Sequence, residues 1–230
     1  TPAPLNSTKG NLITAVRWGQ MFRTLGHTVR IDNAYTSQPC DLLIALHARR
    51  SAASVRCFQK EHPNKPLAVV LTGTDLYRDI QRNRSAKQSM ELATRLVVLN
   101  AAGADELPDK LKKKTRVIVQ SAAPPRSKPS PIKSAFEICV MGHLRPVKDP
   151  FRAAMAARKL PNSSRVRVVH IGAALSESMA QRARNEEEKN PRYQWLGELP
   201  HTQAKRRLAR SRVLVVSSLI EGPPNVASEA

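Results

Sequence analysis

Apolar residues in this chain fall into short unbroken runs, separated by stretches in which they recur every three or four positions. Runs at residues 28–31, 42–46, 67–71, 95–99 and 116–119 predict strands. The stretches 11–25, 48–61, 75–92 and 101–111 predict helices. After PPRSKPSP, residues 124–131, the pattern restarts: strands at 136–141, 165–171, 193–196 and 213–216, a helix at 149–160 and a charged helix before 193. Strands that are apolar throughout and alternate with helices imply a parallel sheet covered on both faces. A proline-rich segment cannot continue a sheet and reads as a linker. The pattern therefore predicts an α/β chain of two domains, residues 1–130 and 131–230. The second is expected to be incomplete, because the chain opens at Thr1 in a loop without Met and stops at Ala230 inside a predicted helix.

In such sheets ligands bind at the carboxyl ends of the strands, so the residues that follow each run are the candidates. The last segment, SSLIEGPPNVASEA at 217–230, follows a strand, and Asn225 leads into the first turn of a helix. Glu221 and Glu229 stand eight residues apart across that turn, where a carboxylate can accept two hydrogen bonds from a cis-diol such as a ribose. Taken alone, two glutamates at this spacing read more readily as solvated surface acids. GHLRPVKDP, residues 142–150, follows another strand: Gly142 lets the chain leave it tightly, and Arg145 and Lys148 enter a helix. A guanidinium fork and an ammonium near a helix start suit a diphosphate, although both are also common as solvated charge.

The first half offers Ser7, Thr8, Lys9, Gly10 and Asn11 at a helix start, a candidate anion cradle that lacks the order of a P-loop and reads equally as a capping loop. His47, Arg49 and Arg50 follow one strand, and Thr72, Gly73, Thr74 and Asp75 another, with Thr74 or Asp75 also suited to N-capping.

With 41% hydrophobic residues the 230-residue chain can bury a core. No run approaches the ~18 apolar residues of a membrane span, and no signal peptide opens the chain. Cys40, Cys57 and Cys139 are odd in number and widely spaced, which argues against a disulfide framework or structural zinc and suits a reducing cytoplasm. The formal charge is +20, from 38 Lys and Arg against 18 Asp and Glu, a field that attracts polyanions. Its basic residues are scattered, only 4% of residues are aromatic, and no nucleic-acid motif is present, so sequence-specific nucleic-acid binding is not expected.

A strand followed by G-x-x-R-x-x-K, then a strand ending in E-x7-E, resembles the donor domain of family-four glycosyltransferases of the GT-B fold, in which two Rossmann-like domains face a cleft. The resemblance implies that Arg145 and Lys148 bind the diphosphate of a UDP-sugar, Glu229 the ribose and Glu221 the donor sugar, with Gly142, His143 and Asn225 at the same site. Blocks such as TPAPLNSTKGN, LTGTDLYRDI, GHLRPVKDPFRAA, RYQWLGELPH and EGPPNVASEA are similar to the selenosugar synthase subfamily of selenoneine biosynthesis. That likeness implies selenophosphate as acceptor. His143 stands where the broad family commonly has Arg. Pro223 and Pro224 replace a Gly-containing turn, so neither position can donate a backbone N–H.

The chemistry this implies is consistent. Breaking a glycosyl–phosphate bond places negative charge on the leaving diphosphate, which Arg145 and Lys148 suit as catalytic groups beside Glu221. An anionic selenium nucleophile needs no strong general base, but it needs a cationic pocket, for which Lys9, Gly10, Asn11 and Arg49 or Arg50 are candidates. No metal is expected, because no acidic pair of the DxD kind ends a strand, and no cofactor beyond the nucleotide-sugar substrate. An ordinary hydroxyl-directed glycosyltransferase and a basic nucleic-acid-binding module remain the competing classes.

Overall fold

Alternate residues of a strand face opposite sides of its sheet, so a strand covered on both sides is apolar throughout. The computed structural model, which describes residues 1–7, 10–123 and 129–230, shows this twice. The chain divides into one unit of Thr1–Gln120 with Gly222–Asn225 and another of Ser121–Glu221 with Val226–Ala230. Most of the expected linker, residues 124–128, lies outside the described residues.

In the first unit the strands β1 (Leu43–Leu46), β2 (Leu67–Leu71), β3 (Arg95–Val98) and β4 (Thr115–Val117) form a parallel sheet in sequential order. Ala45, Val69, Leu71, Leu96 and Val98 pack on one side with Phe58 and Met90. Leu46, Val70, Val97 and Leu99 pack on the other, against Trp18 of helix α1 (Gly10–Thr24).

Several expected elements are shorter or differently placed. Residues 28–31 are not a strand: Val29 and Ile31 lie beside Gly19 of α1, and the Val29 carbonyl accepts a hydrogen bond from Arg23 (2.8 Å) instead of a ladder N–H. Helix α2 (Ala52–Glu61) begins after a turn in which His47 takes the left-handed φ of 75°. The helix expected over 75–92 is a π-helical stretch, Asp75–Asp79, running into α3 (Ile80–Arg82) and then α4 (Arg84–Leu92). Asn83, extended at φ −96° and ψ 117°, makes the break and caps α4 by accepting from the Ala86 N–H (2.9 Å). Pro108 divides the next predicted helix into α5 (Ala102–Asp105) and α6 (Asp109–Lys112).

The second unit holds β5 (Phe136–Met141), β6 (Val166–Ile171), β7 (Tyr193–Trp195) and β8 (Val213–Leu214), all parallel, in the order β7-β6-β5-β8. Its helices are α7 (Arg152–Ala157), α8 (Glu177–Lys189), α9 (His201–Arg210) and α10 (Asn225–Glu229). The chain winds outward from β5 through β6 to β7 and then returns to the other side of β5. The reversal leaves a crevice at the carboxyl ends of β5 and β8, the place where doubly wound sheets bind ligands. Helix α9 was not predicted, since only Ala204 and Leu208 of its ten residues are buried and its apolar stripe is thin. A buried ion pair ties it to the sheet: Glu137 of β5 meets Arg207 (2.5 Å) and accepts from the Ser211 hydroxyl (3.0 Å).

Behind the crevice His170 of β6 is buried, its Nε2 3.0 Å from the Gly142 carbonyl and its Nδ1 3.2 Å from the Tyr193 hydroxyl. A carbonyl only accepts, so Nε2 carries the proton and Nδ1 accepts from Tyr193. Burial pulls the His170 pKa down to about 4, while the Gly142 bond acts weakly in the opposite direction. The folded state thus resists protonation that the unfolded chain takes up near pH 6.5. The stability this residue contributes is complete above pH 6.5 and drains away as pH falls towards 4, by on the order of 3 kcal/mol. Urea unfolding at pH 7.5 and at pH 4 should show that His170→Gln, which cannot titrate, loses less stability on acidification than the wild type by about that amount.

Candidate functional site

The crevice of the second unit is built by two loops that fasten to each other. After β5 the pairing with β6 continues: the Gly142 N–H donates to the Ile171 carbonyl (2.8 Å), and the Leu144 N–H to that of Ala173 (2.9 Å). Gly172 makes this approach possible, because at φ 151° it has a backbone conformation that favours glycine, and a Cβ there would run into the Gly142 carbonyl. His143 turns its ring back to accept from the Ala173 N–H (3.2 Å). Arg145 follows, extended and exposed, with no hydrogen-bonded or ion-paired side-chain partner among the described residues.

Pro146–Lys148 form one 3₁₀ turn, and the helix proper starts only at Arg152, because Asp149 is left-handed (φ 42°). Arg145 and Lys148 stand in the loop ahead of α7, as expected, whereas the helix expected over 149–160 is shorter, Arg152–Ala157. The loop after β8 lies alongside: the Leu219 N–H donates to the Val147 carbonyl (2.9 Å), and the Ser217 hydroxyl to that of Asp149 (2.8 Å). Strand β8 itself is two residues long instead of four, and Val216 is exposed.

This fastening brings the Lys148 ammonium onto the Glu221 carboxylate, which also accepts from the Ser218 hydroxyl (2.9 Å). The two side chains keep 29% and 24% of their surface exposed. At that exposure the attraction lies between the ~4 kcal/mol of a pair near a protein surface and the ~1 kcal/mol or less of a fully solvated one. A ligand with two phosphate charges can compete for the ammonium, and the carboxylate is then free to accept from hydroxyls. Glu229 has a different setting: on α10, with 2% of its side chain exposed, it meets His201 Nε2 at 3.1 Å. Asn225 opens that helix.

The residues expected at the acceptor site gather at the carboxyl ends of β1 and β2, with roles that differ from each other. Asp75 is fully buried. Its Oδ1 accepts from the Thr72 and Gly73 N–H groups (3.0 and 2.9 Å) and its Oδ2 from that of Ala48 (2.9 Å). It thus clasps two strand ends and does not cap the helix that follows, as the sequence suggested, and Thr74 makes no side-chain cap either. His47 is buried in the left-handed conformation; its Nδ1 accepts from the Arg50 N–H (3.3 Å), so Nε2 carries the proton that faces the Thr74 hydroxyl (3.3 Å).

Burial pulls the His47 pKa down against the opposing pull of Asp75, which favours a neutral ring. Arg49 lies 3.3 Å from Asp79, whereas the Arg50 side chain is exposed with no hydrogen-bonded or ion-paired partner among the described residues. Arg50 is therefore the better placed of the two to meet an anion. Gly10 and Asn11 open α1, and the Ser7 hydroxyl is spent on the Pro4 carbonyl (2.7 Å). Thr8 and Lys9 lie outside the described residues.

Sequence reasoning missed Ser217, Ser218, His170 and His201. The signals were present: two hydroxyls just before Glu221, a polar residue inside the apolar run VRVVHI, and a histidine directly after a proline. Among the described residues no group of three or more His, Cys, Asp or Glu could hold a metal ion, and no helix is long and apolar enough to cross a membrane.

Residues 125–230 match the family described as Glycosyl transferases group 1. No curated protein matches the chain. Among solved structures, sucrose-phosphate synthase from Thermosynechococcus elongatus is similar with a TM-score of 0.64 at 14% identity, over 100% of this chain and 61% of that one. HepE from Anabaena in complex with UDP gives 0.61 at 15% identity, over 77% of this chain and 53% of that one. TarM from S. aureus, in a complex that includes UDP, gives 0.58 at 16%, over 79% and 37%. The chain spans about half the length of HepE. At these identities the likeness is one of fold, and the fold is α/β with two parallel sheets, that of the GT-B glycosyltransferases.

Removing the Asp75 clasp leaves three backbone donors, two of them buried and one partly buried, without an acceptor. Asp75→Ala should cost about 3 kcal/mol or more in a urea titration. Asp75→Asn retains an acceptor oxygen and should cost about half as much.

Proposed function

We propose that this chain belongs to a UDP-sugar-dependent glycosyltransferase whose acceptor is selenophosphate, the product being a selenosugar. The observation that carries the donor half is the Lys148–Glu221 pair at the sheet's point of reversal, with the exposed Arg145, which has no side-chain partner among the described residues, three residues away. A family match over residues 125–230 and similar folds solved with UDP and with UDP-glucose support it. The acceptor half is supported by the block-by-block likeness to selenosugar synthases and by the exposed Arg50 beside the His47–Thr74 contact.

In this reading Arg145 and Lys148 hold the diphosphate, Glu229 accepts from the ribose hydroxyls and Glu221 from the donor sugar. A lone pair on the anionic selenium forms the bond to the anomeric carbon. The bond from that carbon to the diphosphate oxygen breaks, and its electron pair leaves with UDP; the selenium keeps its phosphoryl group, so the selenosugar formed in this step is a Se-glycosyl selenophosphate. Charge builds on the diphosphate, and two cations already in place stabilise it without reorganisation. No proton has to be removed from the nucleophile, so His47 and Asp75 keep their positions as neutral ring and backbone clasp. The same two cations supply the charge that a metal ion would otherwise provide, and the reading includes metal-independent turnover.

Calorimetric titration with UDP checks the donor half: Arg145→Ala should weaken binding by about 30-fold, equivalent to ~2 kcal/mol. Unchanged affinity would remove Arg145 from the site. For the acceptor, UDP-sugar turnover with selenophosphate should exceed that with thiophosphate, phosphate or a sugar alcohol, and it should survive EDTA. Glycosylation of a sugar hydroxyl with selenophosphate inert would overturn the acceptor assignment and leave the donor assignment standing. Activity lost to EDTA and restored by Mg²⁺ would overturn the metal-free mechanism.

A further inference from the structure

His201 opens α9 directly after Pro200, and half of its side chain is exposed, whereas the Glu229 carboxylate it touches is almost wholly buried. The oxygen can only accept, so the proton of the 3.1 Å contact sits on Nε2. The fold does not need this bond to hold its two helices together. Ala204 and Leu208 of α9 and Val226 of α10 already share an apolar cluster with Cys139, Val169 and Ile171 of the sheet. What the bond does bear on is the carboxylate. Glutamate has three side-chain torsions, and its ionised carboxylate has about four lone-pair sites whose directions rotate with the last of them. A ring N–H on Oε1 occupies one site and restricts the plane in which the group can lie.

We propose that His201 is a positioning residue for the nucleoside ribose: it holds the Glu229 carboxylate in the orientation that accepts both hydroxyls of a cis-diol. The proposal rests on the donor-site reading above and deepens it, because it makes recognition of the diol depend on a residue outside the two charged motifs. It also separates the two parts of nucleotide binding, the diphosphate held by Arg145 and Lys148 and the ribose held by Glu229 from its support on α9.

The test is a pair of ligands against a pair of variants, read by calorimetry on the full chain. Wild-type protein should bind UDP about tenfold or more tightly than 2′,3′-dideoxy-UDP, which lacks the diol. His201→Leu should weaken UDP about tenfold and leave the dideoxy nucleotide within about twofold. His201→Gln, which restores a donor N–H, should recover UDP binding to within about threefold of wild type. Loss of a purely structural residue would weaken both nucleotides alike, so equal weakening of the two, or no change in either, overturns the positioning role. A wild type that binds UDP but does not distinguish the dideoxy nucleotide removes Glu229 from the ribose and overturns the proposal while the diphosphate site stands. Failure of the wild type to bind UDP at all is failure of the donor reading itself.

Discussion

A parallel sheet buried on both faces satisfies its own backbone groups along the strands and leaves them exposed to a low dielectric where the strands stop. In both units the residues at the carboxyl ends answer that constraint first. Asp75 takes three N–H groups at the ends of β1 and β2, and the Ser51 hydroxyl takes the Leu46 carbonyl (2.6 Å). In the second sheet His170 donates to the Gly142 carbonyl and Trp195 Nε1 to that of Gly172 (2.9 Å). These polar side chains sit where ligands bind in folds of this kind, yet their hydrogen bonds are already committed to the chain.

What remains for a ligand is the set of groups not consumed in this way. Arg145 and Arg50 are exposed and have no side-chain partner among the described residues, and the Lys148–Glu221 pair keeps about a quarter of its surface exposed and can be parted by a competing charge. All are placed by backbone contacts and not by their own packing. The β5 and β8 loops are fastened through carbonyls of Val147 and Asp149, so the pair is positioned even though each partner keeps solvent access. A site with opposite charges side by side suits a ligand that is itself bipartite, an anionic group next to a hydroxylated one.

Two acids that are almost fully buried in ion pairs lie away from these loops. Glu137 with Arg207 anchors α9 to β5. Glu186, bound by Arg158 and by the Asn190 amide (2.8 Å), joins α8 to the end of α7. Such pairs recover little net energy once desolvation is counted, but each becomes costly if one partner is lost, so they fix which helix docks where. Anchoring α9 places His201 beside Glu229, which connects a packing device of the sheet to the carboxylate on α10.

The amino-acid pattern by itself determined most of the strands and the α/β class, because burial on both faces demands continuous apolar runs, and residues 67–71 and 136–141 became strands with those limits. It also singled out Lys148 and Glu221, since charged residues directly after such runs stand out against the apolar background. It could not separate Asp75 from Glu221. Both are acids beyond a strand end, and only the fold closes three N–H groups around the first while pairing the second with a lysine 73 residues earlier. Nor could it find the strand order β7-β6-β5-β8, the left-handed turns at His47 and Asp149, or α9. These depend on partners distant in sequence. A local pattern records whether a residue is to be buried, whereas tertiary structure decides against what.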